Sequence, residues 1–225
     1  MKVLLRVAGV MAIVAYAQTA AATFHFMQIE QVIGGVSGDT TAQAIQLRMR
    51  VAGQDQVSAA KLVAYDANGL NPVTIIDIGS DVANTAGGAR VLIASVQFAN
   101  TQMPPGVSPD FVMTNLIPAA YLAAGRLTWE SDGGVIYWSL SWGGAAYMGS
   151  TTGNTANDAD GDFGPSFGAA LPSTTNQALQ FTGGLGAAST NNAADYSVSA
   201  GDATFTNNAG GTGTVPVVLQ KFSVE

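Results

Sequence analysis

The 225-residue chain is 48% hydrophobic and only 10% charged, with 8 Lys and Arg against 15 Asp and Glu for a net charge of −7. That is core material for a globular domain with a polar but largely uncharged surface. With no cysteine and one histidine, it excludes a thiol nucleophile, a disulfide framework, Cys-ligated zinc or iron–sulfur centres, and any two-histidine metal site within the chain.

Residues 1–22 read as a secretory signal peptide. Lys2 and Arg6 form a basic start, residues 7–17 are apolar or small, and Ala15-Tyr16-Ala17 is a small-x-small cleavage site. The apolar run is too short for a spanning helix, which needs about 20 residues. Residues 23–225 are read as one mature β-sandwich domain, exported to the periplasm, cell surface or medium. Removing Lys2 and Arg6 deepens the acidic excess. Between Arg126 and Lys221 there is no Lys or Arg at all. A phosphate backbone finds little to neutralise there, so nucleic acid is not an expected partner.

The mature chain alternates with period two almost throughout. Residues 23–33 read as an opening strand. Residues 44–51 alternate cleanly: Ile45, Leu47, Met49 and Val51 are expected inward, Gln46, Arg48 and Arg50 toward water. Further strands are expected at 62–65, 73–78 and 91–98, separated by Gly- and Asn-rich turns. Residues 118–124 hint at a short helix. Residues 127–130 and 135–142 form a hairpin across Ser131-Asp132-Gly133-Gly134. Late strands are expected at 178–182 and 215–224. Two stretches break the pattern: the Pro-rich loop around Met103-Pro104-Pro105-Gly106, and a polar stretch over 149–172 longer than most ordered loops. The fold class is all-β, an immunoglobulin-like antiparallel β-sandwich with long loops.

Four features carry candidate chemistry. Asn157-Asp158-Ala159-Asp160-Gly161-Asp162 sets carboxylates at alternate positions around a glycine. Asn157, Asp158, Asp160 and Asp162 are read either as oxygen ligands for Ca²⁺ or as a solvated loop of Asx turns. An EF-hand alignment puts Ala156 first and Phe167 twelfth, so that motif fails. Trp138, Leu140 and Trp142 share a strand face, with Trp129 on the partner strand. These indoles can stack on sugar rings of a cell-surface glycan or form ordinary core, and Leu140 between them favours core. Glu30, Glu130 and Asp132 serve glycoside hydrolysis only if two of them lie about 5–9 Å apart across a cleft. His25 cannot build a metal site alone, and reads as a strand residue or a general base. Gly34-Gly35-Val36-Ser37-Gly38-Asp39 lacks the lysine and following helix of a phosphate loop. No G-x-S-x-G elbow occurs.

Several segments resemble lamin-tail-type domains, immunoglobulin-like sandwiches found in bacterial secreted proteins. They are Gln28-Ile29-Glu30-Gln31-Val32, Gln43-Ala44-Ile45-Gln46-Leu47-Arg48, the hairpin Gly133-Gly134-Val135-Ile136-Tyr137-Trp138 with Ser141-Trp142-Gly143, Gln177-Ala178-Leu179-Gln180-Phe181-Thr182, Asn191-Asn192-Ala193-Ala194-Asp195-Tyr196 and Asn207-Asn208. The chain departs from the pattern at Gln46, where a glutamate is usual, and lacks the arginine expected after Gln180. The resemblance implies a binding or scaffolding module without catalysis of its own. The expectation is therefore a secreted, non-catalytic interaction or structural module with an extracellular protein or cell-surface glycan as partner. The alternatives are a carbohydrate-binding module using the Trp-bearing sheet and, behind it, a glycan hydrolase.

Overall fold

The computed structural model describes residues 23–152, 161–189 and 191–215. Twelve strands and two short helices follow in chain order: β1 (Met27–Ile33), β2 (Ala44–Met49), β3 (Ala60–Tyr65), β4 (Val73–Asp77), β5 (Arg90–Ala94), α1 (Val96–Thr101), β6 (Phe111–Val112), β7 (Gly125–Ser131), β8 (Ile136–Trp142), β9 (Leu179–Phe181), α2 (Asn192–Asp195), β10 (Tyr196–Val198), β11 (Thr204–Thr206) and β12 (Thr212–Thr214). They form a six-stranded sheet in the order β10-β9-β1-β2-β5-β6, a four-stranded sheet β4-β3-β7-β8 and a β11-β12 ribbon. All pairings are antiparallel except β5 with β6. The all-β sandwich expected from the alternation is what forms.

The two large sheets bury one shared core. Ile29, Leu47 and Ile93 of the first pack with Leu62, Leu127 and Leu140 of the second, all at 0% exposure. Each such side chain contributes roughly 1.5–3 kcal/mol on burial. A second apolar cluster covers the other face of the six-stranded sheet, where Ile33, Leu92 and Phe98 meet Phe205 and Val215. The ribbon lies over the middle of that face, so the central strands β1, β2 and β5 are buried on both sides, while Gln180 on β9 and Val198 on β10 stay exposed.

Local chemistry sets several boundaries. The β7–β8 hairpin turns where expected: Gly134 N–H donates to Ser131 O at 2.9 Å, and Gly134 sits at φ 83°, which favours glycine. The strand expected over 91–98 ends early. Ser95 Oγ accepts from Phe98 N–H at 3.1 Å, an N-cap that starts α1. After β6 the chain crosses between sheets, with Met113 N–H donating to Ala94 O and Thr114 N–H to Ile75 O, both at 2.9 Å. The short helix hinted at over 118–124 is a single 3₁₀ turn, Ala119–Tyr121. Residues 1–22, expected to be a signal peptide, and all of the last expected strand beyond Val215 lie outside the described residues.

Against β2, the register of β1 slips between Ile29 and Gln31. Ile29 opposes Leu47 and Gln31 opposes Gln46, leaving Glu30 as the extra residue of a β-bulge. Ile29 and Val32 belong to the shared core. Glu30 and Gln31 both turn to the opposite face, where Glu30 meets Gln46 and Gln31 meets the β11 backbone. The bulge is tied down by Tyr196, whose hydroxyl donates to Ile29 O at 2.8 Å.

Candidate functional site: a charged hub under the β11–β12 ribbon

Glu30 is 5% exposed and accepts from three side chains. Arg90 donates from Nε to Oε2 at 2.7 Å and from Nη2 to Oε1 at 3.0 Å. Arg48 Nη1 lies 3.1 Å from Oε1, and Gln46 Nε2 donates to Oε2 at 2.7 Å. The network continues outward on both sides. Arg48 Nε donates to Gln28 Oε1 at 2.6 Å, and Gln28 Nε2 donates to Ala187 O at 2.9 Å. Gln46 Oε1 accepts from Thr206 N–H at 2.5 Å, tying the hub to β11. The hydrogen bond from Arg90 to Glu30 holds that guanidinium still more firmly in its charged form. A buried carboxylate is tolerated only when paired and hydrogen-bonded, and each lone pair of Glu30 is occupied.

A cavity of about 330 Å³ opens beside this hub, lined by Glu30, Gln31, Arg90, Gln180, Asp202 and Thr204 among others. A second cavity, about 530 Å³, lies near Asp81, Asn84, Asp110 and Asn208. Its carboxylates serve the backbone: Asp110 Oδ2 accepts from Leu92 N–H at 2.7 Å and Asn208 N–H at 2.8 Å, and Asp81 accepts from Ser58 N–H at 3.0 Å. Burial pushes the Asp110 carboxyl up despite those donors.

The three tryptophans are core, the reading that Leu140 between two of them favoured, and not sugar-stacking platforms. Trp129, Trp138 and Trp142 are exposed by 0%, 2% and 0%. Each indole N–H is internally satisfied: Trp129 by Phe24 O at 2.8 Å, Trp138 by Tyr196 Oη at 2.7 Å, Trp142 by Tyr121 O at 2.8 Å. No ring face is left for a sugar, because large aromatics gain more by filling the space between sheets. Of the cation loop, Asn157, Asp158 and Asp160 lie outside the described residues. Asp162 is described, and its Oδ1 accepts from Gly164 N–H at 2.8 Å. Among the described residues no group of three His, Asp or Glu converges for a metal ion. His25 stacks on Tyr137 with ring centroids 4.4 Å apart.

Glu30 and Glu130 do not pair across a cleft. Glu30 belongs to the six-stranded sheet and Glu130 to the four-stranded sheet, and both turn away from the shared core. Two packed sheets alone are separated by about 10 Å, beyond the reach glycoside hydrolysis needs. Glu130 is 4% exposed and accepts from Tyr65 Oη at 2.8 Å and Thr128 Oγ1 at 2.6 Å. Asp132 is exposed in the hairpin turn, its backbone O accepting from Lys61 Nζ at 3.1 Å. Beside them Arg126 is packed between the rings of Tyr65 and Phe163, at 5.3 and 5.1 Å from their centroids.

Burial, reinforced by the hydrogen bond to Glu130 and its charge, pushes the Tyr65 phenol up to about 12. The unfolded phenol ionises near pH 10. A group whose folded pKa is raised contributes stability that is fully present below pH 10 and lost as pH rises through about 12. The wild-type minus Tyr65→Phe difference titration at 295 nm is therefore expected to show a phenolate step near pH 12. A step near pH 10 would mean that Tyr65 is neither buried nor hydrogen-bonded to Glu130.

Sequence reasoning singled out Glu30 and missed its partners Gln46, Arg48 and Arg90, and Gln28 beyond them, as well as Asp202 and Gln180 at the cavity. The available signal was one glutamate inside an otherwise uncharged strand, MQIEQVI. Comparison of the chain with protein-family models, curated proteins and solved structures finds no match in any of the three.

Proposed function

We propose that the protein is a secreted, non-catalytic interaction module that meets an extracellular protein or cell-surface glycan. The observation that carries this reading is the state of the two buried carboxylates. Glu30 is held by two arginines and a glutamine, and Glu130 by a phenol and a hydroxyl. Neither faces the other, and a general acid or base must reach its substrate within hydrogen-bonding distance. The lamin-tail-type resemblance supports the same reading, since it implies a module without catalysis. Export is supported by the basic start, apolar run and small-x-small site of residues 1–22. Among the described residues no helix is long and apolar enough to cross a membrane.

Two measurements test the proposal. N-terminal sequencing of exported protein is expected to give a first residue between Gln18 and Thr23, and a retained Met1 defeats the export reading. Incubation with a panel of β- and α-linked glycans is expected to release no reducing ends. Release that disappears in Glu30→Gln or Glu130→Gln would make the protein a hydrolase.

A further inference from the structure

We propose that the cavity beside Glu30 is a binding site for a neutral ligand carrying vicinal hydroxyls, a single sugar ring or the terminal unit of a glycan. The inference rests on the module reading and names the chemistry that the module recognises.

The floor of the cavity is rigid before any ligand arrives. Glu30 and Gln31 are brought to the same face by the bulge in β1, a device found beside functional sites because it re-aims side chains. Glu30 is locked by Arg90, Arg48 and Gln46, and Gln31 Nε2 donates to Thr204 O at 2.6 Å. A fully satisfied polar network holds its geometry, and a preorganised site loses less entropy on binding. In a chain with only 8 basic residues, two of them meet at this point.

Around that floor, hydrogen-bonding capacity is left over. Glu30 engages Nε and Nη2 of Arg90, leaving Nη1 as a further donor on a residue that lines the cavity, and the Arg90 side chain is 37% exposed. Gln31 uses its amide nitrogen, leaving Oε1 as an acceptor. Gln180 on β9 is exposed and offers an amide with both a donor and an acceptor. Asp202, in the turn before β11, is exposed and offers a carboxylate that is acceptor-only. The lining thus offers both donors and acceptors.

That pattern selects the ligand. Apolar and aromatic ligands find no counterpart, since the named wall residues are polar. A polyanion meets Asp202, Glu30 and a net charge of −7. A polycation meets Arg90, with Arg48 behind it. Sugar hydroxyls each donate and accept. A vicinal pair matches a carboxylate that accepts two protons and an amide or guanidinium that donates to the oxygens. The volume of about 330 Å³ is at the small end of the roughly 300–1,000 Å³ typical of small-molecule sites. It accommodates one ring rather than an extended chain.

The test is a titration of ¹⁵N-labelled mature protein with the methyl glycosides of glucose, galactose and mannose, and with glycine and sodium sulfate as charged comparators. At least one hexoside is expected to give saturable shifts at residues around Gln180 and Asp202. Its affinity should fall at least tenfold in both Asp202→Ala and Gln180→Ala. Both side chains are exposed, so the variants are expected to melt at the wild-type temperature. The proposal is overturned if no hexoside binds up to about 100 mM, well above the millimolar range of weak ligands. It is also overturned if binding survives both substitutions, or if only glycine or sulfate binds there. One-dimensional proton spectra of the same samples report the fate of the sugar. A hexoside that binds and is converted defeats the non-catalytic reading and leaves the site. A protein that neither binds nor converts loses the site and keeps that reading.

Discussion

Leu47→Asp and Gln46→Asp are expected to destabilise the protein by comparable amounts, about 3–5 kcal/mol each, although the two side chains point to opposite faces of β2. Leu47 is fully buried between the sheets, where a carboxylate has no partner. Gln46 alternates with it and reads from the sequence as water-facing, yet it is 2% exposed. Its amide nitrogen donates to Glu30 and its oxygen accepts from the β11 backbone. Aspartate at 46 removes the donor, shortens the arm toward Thr206 and sets a second carboxylate against the first. Two like charges in one buried site cannot both stay ionised without cost. Urea denaturation of the two variants decides the point. A loss below about 1 kcal/mol for Gln46→Asp, the size of an ordinary surface change, would mean that the ribbon does not cover this face.

Glu30→Gln should cost about 2–4 kcal/mol. Removing one member of a buried ion pair leaves uncompensated charge, typically about 3–5 kcal/mol. The lower range reflects Arg90, whose side chain is 37% exposed and can recover water, whereas Arg48 is 16% exposed and cannot do so as readily. Adding Arg48→Met to Glu30→Gln is expected to restore part of the loss, because the stranded cation goes with its partner. Chemical denaturation of the single and double variants measures that coupling. A double variant weaker by the simple sum of its parts would show that Glu30 and Arg48 act independently.

The contrast at β2 shows where sequence reasoning reaches and where it stops. Ile45, Leu47 and Met49 are inward at 0% exposure, as the alternation requires. Val51, expected to continue the row, lies past the strand end at 48% exposure. Alternation states which residues share a face; it carries no information about what lies over the other face. That cover comes from Thr206, 160 positions away. The strand expected over 91–98 stops at Ala94 for a more local reason. Its apolar residues suit a strand or a short helix, and the Ser95 hydroxyl decided for the helix by capping it.

The tryptophans show the same division. Their period-two placement on Trp138 and Trp142 was legible, as was the hairpin that brings Trp129 opposite Trp138. Groove or core was decided by the second sheet and by Tyr196, which joins the Trp138 indole to the bulge at Ile29. Likewise no local pattern pairs Glu30 with arginines on two other strands.

The sequence by itself determined the all-β class, the faces of the central strands, the β7–β8 turn and the absence of thiol and two-histidine chemistry, because these depend on residue type and short-range periodicity. Only the tertiary structure decided that the outer face of β1, β2 and β5 is covered, that Glu30, Arg48 and Arg90 form one hub, and that a polar cavity opens beside it. Those outcomes depend on segments far apart in the chain, brought together by burial of the two apolar clusters. The energy of a charge in such a place is set by its neighbours in space rather than in sequence.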